Sequence, residues 1–192
     1  MNYIITLISA VAICALVLFP KEAEPTTVER TDVHSASAQC LALNVYHEAR
    51  GQGTAGLVGV TAVVLNRVND SRFPNTICGV IYQGPTRESW KTRIHKNLPA
   101  KDRIYYPIKH KCQFSWYCDG KGDDPREGSR LWEDAQELAK YVLLRQEELP
   151  DITDGALHYH ASYIDAPKWA KKTKITTKID THIFYRLNNM RL

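Results

Sequence analysis

The 192-residue sequence has no internal repeat, which excludes a solenoid or propeller. No Lys or Arg precedes its one long apolar run, Ile4 to Phe19, so that run lacks the basic start usual in a secretory leader. The position four residues after His47 is Gly51, not a second histidine, which rules out the helical metalloprotease motif. Ser115 has no nucleophile-elbow context, so a serine hydrolase triad has no support. The stretch NVYHEARGQG, Asn44 to Gly53, contains one carboxylate. Any carboxylate chemistry there rests on Glu48 alone.

With 44% hydrophobic and 24% charged residues, the composition is globular. Ile4 to Phe19, closed by Pro20 and Lys21, reads as a membrane-targeting segment. It is short for a span of roughly 17–25 residues and long for a signal-peptide core of about 7–15, so residues 1–20 are either a retained anchor or a cleaved signal. Ser35 to Ala38 offers small residues for cleavage. The rest of the chain is expected outside the cytoplasm, facing the periplasm from the inner membrane or secreted to the wall. Residues 21–38 carry few large apolar side chains and read as a flexible tether. The working domain is then 39–192, long enough to bury about 70% of its unfolded surface.

Four cysteines fall in that domain, and export makes disulfides plausible. Four allow three pairings. Cys112 with Cys118 closes a short local loop, leaving Cys40 with Cys78; buried free thiols are the alternative. Cys14, inside the apolar run, reads as a small membrane residue. Charge is uneven: Gly84 to Lys111 holds eight Lys/Arg against Glu88 and Asp102, although the whole chain is only +4. A basic face follows, suited either to plain solvation or to a polyanion. Outside the cytoplasm nucleic acid is not the expected partner.

Ala38, Leu41, Ala42, Val45 and Ala49 repeat at helical spacing, with Ser37 as N-cap and Gly51 as stop. Glu48 then lies within about 60° of the centre of the apolar stripe, at the rim of the core. Thr54 to Val68 is apolar nearly all round and reads as a buried central helix. Asp124-Pro125 with Glu127 resembles a cap for a third helix ending near Arg145, whose stripe is Leu131, Ala135, Leu138, Ala139 and Val142. Ala156 to Ser162 and His182 to Leu187 are expected strands. The class is α+β, mainly helical with a small sheet.

A carboxylate at the edge of an apolar face loses water, which raises its pKa and suits it to donate a proton near neutral pH. His158 and His160 share a strand face and, with His182, form a candidate zinc set. Gln113 to Tyr117 and the later Tyr159, Trp169, Phe184 and Tyr185 supply the aromatic faces and polar donors of a sugar groove.

Four segments in order, ALNVYHEARGQGTAGLVGVTAVVLNRVNDSRFPNTICGVIYQ, CQFSWYCDG, GALHYHASYIDAPKWA and KIDTHIFYR, resemble the cell-wall hydrolase family typified by spore-cortex-lytic enzymes, also found in phages. The resemblance implies a lysozyme-like α+β fold and cleavage of the MurNAc-GlcNAc backbone of peptidoglycan, with Glu48 as catalytic acid. It implies no cofactor or metal, and the expected unit is a monomer. Gln52 stands where the family commonly has a second Glu, Asp180 where glycine is common, and residues 85–111 look like a basic insertion. Asp119, Asp165 and Asp180 are the candidates for a second carboxylate, as a hydrolase needs. A lytic transglycosylase manages without one, because the muramic acid's own hydroxyl attacks. Tyr46, Gln113, Ser115, Tyr159, His160 and Tyr185 are candidates to orient the glycan. A phage endolysin released from the membrane is one form of this expectation, with Cys14 then exchanging disulfides. The rivals are a zinc N-acetylmuramoyl-L-alanine amidase and a non-catalytic, membrane-tethered peptidoglycan-binding module.

Overall fold

The computed structural model describes residues 27–48 and 51–187. The apolar run, Cys14, Ala49 and Arg50 lie outside the described residues, and among those described no helix is long and apolar enough to cross a membrane.

Helix α1, Thr27–Glu48, begins ten residues before the expected cap, so Ser37 lies inside it. Residues 27–38 are therefore helical where an irregular tether was expected. No Gly or Pro interrupts Thr27 to Glu48, and helix formers such as Glu29, Arg30, Ala36 and Ala38 favour the longer helix. Gly51 has φ +80°, the left-handed conformation expected of a helix stop. Helix α2, Thr54–Val68, has the bounds expected from its apolar run and buries Val60, Val63, Val64 and Arg67. Short α3, Ile77–Ile81, is capped by Thr76, whose hydroxyl accepts from Gly79 N at 3.1 Å.

A hairpin of β1, Thr86–Glu88, and β2, Tyr105–Pro107, follows, with α4, Trp90–Arg93, between its strands. Helix α5, Arg130–Arg145, starts later than its expected cap. Gly128 at φ +65° breaks the chain before it, and Ser129 takes the N-cap position, leaving Asp124, Pro125 and Glu127 in the preceding loop. Its stripe buries Ala135, Ala139 and Val142, whereas Leu131 is exposed.

A three-stranded antiparallel sheet closes the domain, in the order β3 (His158–Ala161), β5 (His182–Leu187), β4 (Thr173–Ile179). Tyr159 pairs with Phe184 in its register. The main core joins Leu41 and Ala42 of α1, Val64 of α2, Val80 and Ile81 of α3, and Ala139 and Leu143 of α5 around Phe114 and Trp116. The Cys40–Cys78 bond staples α1 to α3, and Cys112–Cys118 closes the loop that carries Phe114 and Trp116. In the β4–β5 turn, Asp180 at φ +48° aims Oδ2 at the start of α2, accepting from Gly53 N and Gly56 N, both at 3.0 Å. A carboxylate there satisfies helix N–H groups that otherwise lack partners.

Helix α2 approaches the sheet through Gly59. A Cβ at that position would stand 2.8 Å from Cζ of Phe184, which is fully buried. Gly59→Ala is expected to destabilise the fold by about 1–3 kcal/mol through overpacking. Gly122→Ala, where a Cβ meets nothing within 4 Å, is expected to stay within about 0.5 kcal/mol. Urea unfolding of the two variants checks the contrast.

Candidate active site

Glu48 is the last residue of α1, and the turn before it is held from three sides. Trp116 Nε1 donates to Asn44 Oδ1 at 3.1 Å, the His47 ring stacks on Trp116 at 4.6 Å, and His47 Nε2 lies 3.0 Å from the carbonyl of Asp123. The carboxylate is half-buried in a cleft of about 190 Å³, lined by Arg67, Gln113, Phe114, Ser115, His158, Tyr159 and Trp169. Tyr159, from β3, donates its hydroxyl proton to Glu48 Oε2 at 3.1 Å. Arg67, from α2, is only 4% exposed; its Nε donates to the Leu157 carbonyl at 2.8 Å, and its guanidinium lies between the rings of Phe73 and Phe114.

Burial raises the Glu48 pKa above its ordinary 4.5, while the Tyr159 hydrogen bond and the Arg67 charge pull it partly back. Burial likewise lowers the Arg67 pKa and pushes the Tyr159 phenol well above its ordinary range. Tyr159 therefore remains a donor. Among the described residues Glu48 and Arg67 form no ion pair within 4.0 Å, so the guanidinium acts on Glu48 through its field and leaves it able to hold a proton. His158 is pushed down to about 4, by burial first and then by Arg67 and Arg72. It is a neutral imidazole at ordinary pH.

Of the six residues expected to orient a glycan, Gln113, Ser115 and Tyr159 line the cleft. The other three do not. Tyr46 is buried beside α5 against Trp132, and His160 and Tyr185 pack with Trp169 behind His158. Their aromatic character, which made them candidates, serves core packing. Phe114 and Trp169 belong to the aromatic segments expected to supply a sugar groove, and both line the cleft, whereas Arg67 and His158 were not expected as groove residues, His158 having been read as part of a zinc set.

The candidate zinc set does not assemble. His158 and His160 face Trp169 and Tyr185, whereas His182 lies on the opposite face of the sheet against Tyr159 and Phe184. Among the described residues no group of three His, Cys, Asp or Glu is placed to hold a metal ion. The candidate second carboxylates are also elsewhere. Asp180 caps α2, Asp119 accepts from Lys121 N at 2.7 Å, and Asp165 is exposed in the turn after β3. Gln52 Oε1 accepts from Thr181 N at 3.2 Å, tying its amide to the β4–β5 turn.

The profile of the cell wall hydrolase family matches residues 51–185. A spore cortex-lytic enzyme of Bacillus cereus is 51% identical over 45 residues, covering 23% of this chain and 17% of that protein. One from Bacillus subtilis is 51% identical over 43 residues, covering 22% and 14%. The match thus spans less than a fifth of the length of these curated relatives. Among solved structures, the catalytic domain of the germination-specific lytic transglycosylase SleB from Bacillus anthracis is 27% identical with a TM-score of 0.51, over 78% of this chain and 93% of that one. The α+β, lysozyme-like architecture expected from the sequence is the one found.

Because the folded Glu48 pKa is raised, its proton stabilises the fold fully below the unfolded value near 4.5, and that contribution is lost as pH rises through the folded value. Glu48→Gln is expected to flatten this part of the stability profile in urea titrations at stepped pH. Tyr159→Phe removes a stabiliser of the charged form and is expected to move the Glu48 titration further up, read by carboxyl-carbon NMR.

Proposed function

The chain belongs to the cell wall hydrolase family, and from that premise we propose that it cuts the glycan strand of peptidoglycan as a lytic transglycosylase, with Glu48 as general acid and then general base. The observation that carries this reading is a desolvated, protonatable Glu48 that is the lone carboxylate lining its cleft among the described residues. Inverting and retaining hydrolases place a second carboxylate across the scissile bond, within roughly 5–9.5 Å. Among the described residues no partner of that kind lines this cleft.

In the first step the Glu48 proton passes to the glycosidic oxygen as the bond from MurNAc C1 to that oxygen breaks. Electron deficiency then develops at C1 and the ring oxygen. In the second step the C6 hydroxyl of the same MurNAc attacks C1 and yields its proton to the Glu48 carboxylate. The products are a 1,6-anhydro-muramic end and a free GlcNAc hydroxyl, with no water consumed and Glu48 protonated again. Tyr159 holds the carboxylate through Oε2, which leaves Oε1 for the substrate. The Arg67 field steadies the anion present between the two steps. Gln113 and Ser115 supply hydrogen-bonding groups, and Trp169 an apolar ring face, to sugars in the cleft.

The lytic transglycosylase name of the Bacillus anthracis neighbour supports the same outcome. An amidase that uses zinc is disfavoured by the opposed faces of His158 and His182. A monomer, delivered to the wall or tethered beside it by the segment Ile4 to Phe19, completes the proposal, and a phage endolysin is compatible with it.

Mass spectrometry of peptidoglycan digested by the full chain tests the reading. Anhydro-muramic ends are expected, with Glu48→Gln slower by about 10²–10⁴-fold, the usual worth of a positioned general acid. Reducing ends would mean hydrolysis, released stem peptides an amidase, and unchanged product from Glu48→Gln would remove Glu48 from the chemistry. The rate is also expected to fall as pH rises through the raised Glu48 pKa, because the first step needs the protonated acid.

A further inference from the structure

The hairpin from Gly84 to Lys111 carries charge and aromatic surface that the cleft chemistry leaves unused. Its interior is settled. Arg103 Nη1 pairs with Glu88 Oε1 at 2.7 Å, the Thr92 hydroxyl donates to the same carboxylate oxygen at 3.0 Å, and Arg103 also donates to the carbonyls of Lys96 and Leu98. Arg103 is thereby the one cation of the eight that the fold consumes within 4.0 Å, among the described residues. Arg87, Lys91 and Arg93 remain exposed.

Those three line a groove of about 460 Å³ together with Glu88, Ser89, Trp90, Tyr106 and Pro107, and the Glu88 carboxylate in its wall is already paired with Arg103. Trp90 is 64% exposed and Tyr106 57%, far more than core packing would leave. Tyr106 lies directly across the ladder from Arg87, which fixes a ring beside a guanidinium. Exposed cations and exposed aromatic rings lining one groove suit a strand that is part sugar, part carboxylate.

The base of the hairpin is joined to the cleft. Gln113 N donates to the Gln83 carbonyl at 2.9 Å and His110 N to the Cys118 carbonyl at 3.0 Å, while Gly84 packs on Cys112. Gln113 itself lines the Glu48 cleft.

Resting on the peptidoglycan reading above, we infer that the groove of Arg87, Trp90, Lys91, Arg93 and Tyr106 is an accessory binding surface for the carboxylate-bearing stem peptides and adjoining sugars of the same wall strand. It holds uncut polymer near Glu48 and favours strands whose peptide carboxylates are free over those in which they are amidated.

The test uses the full chain carrying Glu48→Gln, so that binding is measured without cleavage and stands or falls apart from the chemistry. Its affinity for purified sacculi is measured by cosedimentation, with and without attached phosphate polymers. Adding Arg87→Gln/Lys91→Gln/Arg93→Gln is expected to weaken binding about 10-fold, as three exposed charge pairs would, and to flatten its salt dependence. Converting sacculus carboxyls to amides is expected to cause the same loss with the groove intact. Arg87→Lys/Arg93→Lys is expected to retain binding, which separates loss of charge from loss of fold. Equal binding by the triple variant, or indifference to carboxyl blocking, overturns the inference. A loss confined to sacculi that retain phosphate polymers also overturns it and assigns the groove to phosphate. Hydrogen-exchange protection of residues 86–93 by anionic phospholipid vesicles, with none from sacculi, would assign a membrane surface instead.

Discussion

A guanidinium that is 4% exposed is costly to desolvate, and the arrangement of this site follows from how Arg67 is kept. Two rings enclose it and a backbone carbonyl from the start of β3 accepts from it, so α2, the Phe114 loop and the sheet are brought together at one point. Glu48 occupies the same low-dielectric pocket without pairing to Arg67. A direct bidentate pair would hold the carboxylate ionised. Separation leaves burial as the larger influence on Glu48, with the cation moderating it.

Distant parts of the chain must meet to build that pocket. Glu48 ends the first helix, Gln113 and Ser115 sit in a disulfide-closed loop, and Tyr159 comes from the sheet. The ties between them are polar and long-range. Asp180 holds the start of α2, Gln52 holds the same turn, and Asn66 Nδ2 reaches Asp151 and the Ala156 carbonyl before β3. Together they seat the α2–sheet contact at Gly59 and Phe184, and so set the position of Tyr159 against Glu48. Asp180 keeps a left-handed backbone at φ +48° while its carboxylate gains two helix N–H partners.

Much of this was legible in the residues. The apolar run of α2 gave its bounds, since nearly every position is covered and only Gly53 and Asn69 interrupt it. Glu48 was legible because a lone charge beside an apolar stripe stands out. The start of α1 was not, because no Gly or Pro interrupts the helix after Thr27 and the apolar stripe used to place its start begins only at Ala38. Strand β4 was hidden by its lysines: Lys174 and Lys178 lie exposed on a sheet edge, which masks the β-branched residues between them. The groove candidates divided because an aromatic residue fits a core as well as a sugar site, and only strand register decides which way Tyr159 and His160 point. The burial of Arg67 was not legible, since it depends on phenylalanines brought in from positions 73 and 114.

The length of α1 has a mechanical meaning. Its 22 residues from Thr27 to Glu48 form a rod about 33 Å long at the usual rise per residue. The acid at one end is thus held at a fixed stand-off from whatever grips the other. The C-terminal half of the rod is anchored in the domain, where Leu41, Ala42 and Val45 are buried and Cys40 is bonded to Cys78, so Glu48 sits at the fixed end of the rod and Thr27 at the far one.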